Sequence, residues 1–170
     1  MSRKITVALL VDEFFGGAGT PFGGYGFLAR RYICKYIPNA DIKIDVLLKR
    51  GKSKYFAKRH RVDDVNVYYM PNNWRGIRRF LKRKNYDVYF SIELVNSGAD
   101  IIQKDPHLSQ KRLVLWIQDP RPQYEWDEIH TVKLFPERSY YHQPTYDLVN
   151  KLTRRGQVSF ISQGHFLNQK

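Results

Sequence analysis

Sulfur is scarce in this chain: Cys34 is the single cysteine among 170 residues. That excludes a disulfide framework and a cysteine-rich zinc site, and it points to a reducing, cytoplasmic compartment. Cys34 falls on the apolar side of a predicted first helix with no positioned histidine beside it, which reads as a buried structural thiol rather than a nucleophile. The five histidines, His60, His107, His130, His142 and His165, show no metal-ligand spacing. No apolar run reaches the length of a bilayer span, and the first residues do not read as a signal-peptide h-region. Neither a G-x-S-x-G elbow nor a P-loop is present, so a hydrolase triad or a Walker-type nucleotide site has no support.

Acidic residues are also in short supply. There are 16 of them against 29 lysines and arginines, a net charge of +13. An excess of this size implies an anionic partner: nucleic acid, a phospholipid surface or a phosphorylated small molecule. The charge falls in two groups. One is Lys49, Arg50, Lys52, Lys54, Lys58, Arg59 and Arg61; the other is Arg75, Arg78, Arg79, Lys82, Arg83 and Lys84. The plainer reading of each is a solvated surface.

The most informative stretch is the opening one, Lys4 to Ile37. The apolar run Ile5–Val11 ends at Asp12. Gly16, Gly17, Gly19, Gly23, Gly24 and Gly26 follow, and then Phe27, Leu28, Tyr32, Ile33 and Tyr36 recur near helical spacing. This is strand, glycine loop, helix. Glycines let backbone amides approach a ligand, and a helix N-terminus attracts negative charge, so such a corner suits phosphate. The competing reading is a flexible loop. The G-x-G-x-x-G fingerprint is not matched directly after the strand, because Phe22 stands at the third position. Gly24, Gly26 and Ala29 fit the G-x-G-x-x-A form but come too late after Val11 for the tight turn of a dinucleotide fold.

Further strands are expected at Ile42–Leu48, Val65–Tyr69, Val88–Ile92, Leu113–Gln118 and Val158–Ile161, several of them continuous apolar runs of the kind covered on both faces. Helices are expected at Arg75–Lys84, near Ala99–Gln103, and from Pro144 to Arg155, where Gly156 stops the last. The fold class that follows is α/β: a Rossmann-like, doubly wound, mostly parallel sheet flanked by helices. Two stretches resist assignment, the basic connection Gly51–Asp64 and the proline- and aromatic-rich Asp119–Gln143. The second follows a strand, as the glycine loop does, and ligand sites in open α/β sheets lie beyond the carboxyl ends of the strands. Asp119 and Glu93 end strands there and are candidate catalytic carboxylates; Asp119 is equally placed to cap the turn at Pro120. Arg121 suits phosphate. Tyr124 and Trp126 suit stacking on a sugar or base, whereas Trp116, inside a strand, suits the core.

These residues carry a resemblance. Ile5–Asp12, Gly16–Gly17, Gly23–Gly24 and the helix from Tyr25 resemble the N-terminal Rossmann-like domain of GT-B glycosyltransferases, particularly the family 4 type of bacterial polysaccharide biosynthesis. LVLWIQDPRP, Leu113–Pro122, is similar to the strand that often ends there in a His-Asp pair, and VSFISQG resembles the last strand before the crossover to the second domain. The resemblance implies that residues 1–170 are one acceptor-side domain, with the donor-binding C-terminal domain of the same protein missing from this chain. It implies sugar transfer from a nucleotide-sugar donor to a glycan or lipid-linked acceptor. It further implies donor-phosphate contact at Gly16, Gly17, Gly23 and Gly24 and no metal or cofactor; on an acceptor-side domain, Arg121, Tyr124 and Trp126 become the candidate acceptor contacts. The family's frequent histidine is Gln118 here, which leaves Asp119 alone at that position. A cytoplasmic enzyme half with a peripheral position on the inner membrane face, against anionic lipid, is the corresponding expectation. Two other readings stay open. One is a nucleic-acid module using the basic groups with Tyr55, Phe56, Tyr68, Tyr69, Trp74 and Phe80. The other is a cofactor-binding oxidoreductase or methyltransferase resting on Gly24, Gly26 and Ala29.

Overall fold

Seven strands build one sheet in the computed structural model, which describes residues 3–92, 102, 105–117 and 158–162. They are β1 (Ile5–Leu10), β2 (Ile42–Arg50), β3 (Lys58–Val62), β4 (Val65–Met70), β5 (Val88–Ile92), β6 (Arg112–Ile117) and β7 (Val158–Ser162). The order across the sheet is β3-β4-β2-β1-β5-β6-β7. Every pairing is parallel except β3 with β4. Without β3, the parallel strands run third, second, first, fourth, fifth, sixth in chain order. That arrangement is compatible with a Rossmann-like fold. The chain is thus α/β, with a mostly parallel sheet and few helices among the described residues.

Alternating residues of the apolar strands serve opposite faces. Ala8, Leu10, Leu47, Met70 and Tyr89 pack with Ile77, Phe80 and Leu81 of helix α3 (Trp74–Lys84). Val7, Leu9, Val46, Val67 and Phe90 pack with Ala29 and Ile33 of the first helical stretch. That stretch begins as α1 (Gly24–Phe27), passes through a π-helical turn (Leu28–Ile33) and ends as α2 (Cys34–Tyr36). Helices on both faces explain why β1, β2 and β4 read as unbroken apolar runs.

α3 forms where the sequence predicts it. Asn73 is its N-cap, its side chain accepting from the Gly76 amide at 2.7 Å. Asn85 closes it in the left-handed conformation, φ 49°, its amide donating to the Leu81 carbonyl. The π-helical turn was not expected, and neither was β3. The connection Gly51–Asp64 holds that strand, paired antiparallel to β4 through a two-residue turn at Asp63 and Asp64, both at positive φ (48° and 64°). β3 reads KRHRV and lies at the sheet edge, where charged side chains discourage pairing with another chain. Its lack of apolar alternation hid it. The expected strand ends shift by one or two residues, with β2 running to Arg50 and β6 over Arg112–Ile117.

One sequence expectation is corrected on the first helix. Leu28 and Ile33 do pack inward, but Phe27, Tyr32 and Tyr36 are exposed. The inward face also carries two small residues, Gly26 and Ala29, where the helix lies close on the loop. A Cβ on Gly26 would stand 2.5 Å from the Phe15 amide nitrogen. Only glycine permits that approach, and large rings are turned outward. They form a ladder of near-perpendicular and tilted contacts, Phe15 with Phe22 at 5.1 Å and with Phe27 at 5.0 Å, then Phe27 with Tyr32 at 5.6 Å.

Candidate functional site

Parallel strands direct their carboxyl ends to one rim, and the chain reverses its direction of travel across the sheet between β1 and β5. Crevices at such a reversal are where open α/β sheets bind ligands. The described segment at that point is the glycine loop, residues 11–23, which leaves β1 and enters α1.

The loop is hydrogen-bonded throughout rather than open. Phe14 is fully buried under it. The Thr20 hydroxyl accepts from the Phe14 amide at 2.7 Å and donates to the Gly17 carbonyl at 2.8 Å. The Gly17 amide donates to the Phe14 carbonyl at 2.8 Å, and the Gly16 amide to the Pro21 carbonyl at 3.1 Å. Gly16 has φ 75°, a left-handed conformation that favours glycine. The loop is anchored from the far side by Arg30, whose guanidinium donates to the Phe15 carbonyl at 2.8 Å and to Asp63 in the β3–β4 turn at 2.6 Å. The Tyr69 hydroxyl reaches the Ala18 carbonyl at 3.2 Å.

The four glycines expected at donor phosphate therefore divide. The Gly16 and Gly17 amides are used inside the loop. Gly23 and Gly24 start the helix, and a third residue dominates their surroundings: Glu13, which sequence reasoning passed over. Its carboxylate accepts from the Gly26 amide at 2.9 Å, and a Cβ on Gly23 would stand 2.0 Å from it. Glu13 thus sits on the helix N-terminus, supplying the negative charge that position favours. The signal that finds it is an acidic residue just after a strand and before a glycine-opened helix. Gly24 is different again. It is exposed, and a Cβ there would meet nothing within 4 Å.

Gly26 and Ala29, the rest of the late G-x-G-x-x-A match, are buried packing positions, so in this fold they serve helix–loop contact. The nucleic-acid reading loses part of its stacking set. Tyr68 and Phe80 are core residues, and Tyr69 is half-buried with its hydroxyl engaged. Tyr55, Phe56 and Trp74 are exposed. Trp116 stacks on Phe90 at 6.3 Å, as its place in a strand suggests. Glu93, Asp119, Arg121, Tyr124 and Trp126 lie outside the described residues. Cys34 packs against the core on the first-helix side; burial, with a smaller contribution from Asp63, pushes its thiol up to about 12, so it stays protonated at neutral pH. Among the described residues no group of three His, Cys, Asp or Glu side chains is placed to hold a metal ion, and no helix is long and apolar enough to cross a membrane.

No protein-family model matches this chain, and no curated protein matches it either.

Proposed function

We propose that this chain is the acceptor-side, Rossmann-like half of a GT-B glycosyltransferase, moving a sugar from a nucleotide-sugar donor to a glycan or lipid-linked acceptor. The observation that supports the reading best is the ordered glycine loop. It leaves the carboxyl end of β1 at the reversal of strand order, with glycines opening the helix that follows. The sheet is doubly wound in this reading, with α3 on one face and the first helix on the other. Donor diphosphate approaches Gly23 and Gly24, where it competes with the Glu13 carboxylate for the helix N-terminus. Gly24, exposed and open above its Cα, is the position left for that approach. Asp119 acts on the acceptor hydroxyl in this reading, Arg121, Tyr124 and Trp126 contact the acceptor, and Glu93 is the second candidate carboxylate.

Reading the gene past codon 170 tests this first. A second α/β half supports the proposal, and an immediate stop codon removes the donor site and ends it. In the two-domain enzyme, Asp119→Ala cuts turnover sharply; unchanged turnover takes Asp119 out of the site. Glu13→Gln removes the competing charge and tightens nucleoside diphosphate binding in a calorimetric titration. An unaltered affinity would show that phosphate does not meet this helix end.

A further inference from the structure

Residues 62–74 separate the two basic groups along the chain, and the fold brings part of the first against the start of the second. The connection 51–57 folds onto the start of α3. The Asn72 amide donates to the Ser53 carbonyl at 2.7 Å, and the Asn73 side-chain amide donates to the Lys54 carbonyl. Gly76 in the first turn of α3 makes the contact possible, since a Cβ there would stand 2.6 Å from that same carbonyl oxygen. The result is one continuous surface running from the carboxyl rim of the sheet along the outer side of α3.

Its charge is compensated only in part. Arg78 and Lys82 share the buried carboxylate of Asp105, and Lys84 is bound to Asp45. Arg59 donates to Asn66 and Arg61 is paired with Asp64, while Lys58 stands opposite Tyr69 on the other face of the sheet. Lys52, Lys54, Arg75, Arg79 and Arg83 are exposed and have no carboxylate partner among the described residues. Arg75, Arg79 and Arg83 follow one another at four-residue spacing, so they form a single row about 12 Å long on the helix. At the N-terminal end of that row stand three projecting rings. Tyr55 is 67 % exposed, Phe56 73 % and Trp74 39 %. Exposed large rings beside cations that have no carboxylate partner among the described residues are an expensive arrangement for a surface facing only water.

We infer that this surface docks on an anionic phospholipid bilayer. The apolar side of α3 is fully used by the core through Ile77, Phe80 and Leu81, so the helix cannot bury itself in lipid. What remains outward is a cationic row, slanting around the helix, and a group of rings at one end. A flat charged sheet of headgroups engages such a row along its whole length while the rings enter the interfacial layer. A single nucleic-acid strand would need rings interleaved with the cations to stack successive bases. Tyr68 and Phe80, which the sequence interleaves, are buried. The inference deepens the membrane position that goes with the glycosyltransferase reading, but its test is separate, because vesicle binding requires no sugar donor.

Co-sedimentation with vesicles tests it. The protein should pellet with phosphatidylglycerol–phosphatidylcholine vesicles, stay in solution with phosphatidylcholine alone, and release as salt is raised. Each cation near the surface contributes roughly fivefold in partitioning, so R79Q/R83Q should weaken binding about twentyfold or more. Y55S/F56S should weaken it as well and leave a residue of binding that is more salt-sensitive. K35Q/K43Q removes the same charge elsewhere and should change little. All these side chains are exposed, and matching circular dichroism spectra confirm that the variants fold. The inference is overturned if K35Q/K43Q weakens binding as much as R79Q/R83Q, which would make it a matter of net charge. It is equally overturned if no protein pellets while a single-stranded oligonucleotide is retained with steep salt dependence.

Discussion

The two helical layers of this sheet are fixed in different ways. α3 is held by side chains: three large apolar residues turned inward, an asparagine cap at each end, and buried ions beneath. The Asp45 carboxylate, 4 % exposed, accepts from Asn66 at 2.9 Å, from Tyr86 at 2.9 Å and from Lys84 at 3.1 Å. The first helix packs Ala29 and Ile33 inward and depends besides on backbone proximity, with Gly26 against the loop, Glu13 on the helix end and Arg30 tying loop to hairpin. One layer is specified by its side chains alone, the other also by where a side chain is missing.

That difference decides how much was legible. The sequence places α3 to within one residue of its observed start, because the spacing of Ile77, Phe80 and Leu81 is a local signal. The strands were legible for a similar reason. The face of the first helix was not, since a run containing Phe27, Tyr32 and Tyr36 gives no local sign that Gly26 and Ala29 will take the inside positions. β3 was hidden because an edge strand made of KRHRV has neither alternation nor an apolar run. The glycine loop was visible as a feature, but Glu13 was overlooked. A carboxylate in a supposed phosphate corner is informative only once its hydrogen bond to the Gly26 amide is known.

The largest expected effect strikes the α3 side. Asp45→Ala leaves Lys84, Asn66 and Tyr86 without their common acceptor, and removing one partner of a buried ion pair costs about 3–5 kcal/mol. Urea denaturation measures it. A loss under about 1 kcal/mol would mean that water replaces the carboxylate and that side-chain chemistry is not what fixes this layer.

The two layers are next separated by a pair of glycines on the first helix. Gly26→Ala places a methyl group 2.5 Å from the Phe15 amide nitrogen, which forces the helix off the loop and costs about 1–3 kcal/mol. Gly24→Ala meets open space and should stabilise by about 0.5–1 kcal/mol, because alanine is the better helix former. Equal midpoints for the two variants in thermal denaturation would contradict close approach as the determinant of this layer.

The smallest effect belongs to the surface tie between first helix and hairpin. The Asp63 carboxylate is held below the usual range, chiefly by its hydrogen bond from Arg30. Asp63 is half exposed, so the pair contributes only about 0.2–1 kcal/mol. A depressed carboxylate stabilises the fold above its unfolded value, near pH 4, and that stability disappears as pH falls through the lower folded value. Asp63→Asn should therefore be slightly less stable than the parent protein at neutral pH and no different in strong acid. A gap that persists unchanged into acid would assign the effect to the β3–β4 turn, where Asp63 takes a positive φ of 48°. A gap that closes assigns it to the ion pair, and with it the bond through Arg30 to the Phe15 carbonyl that keeps the glycine loop against the sheet.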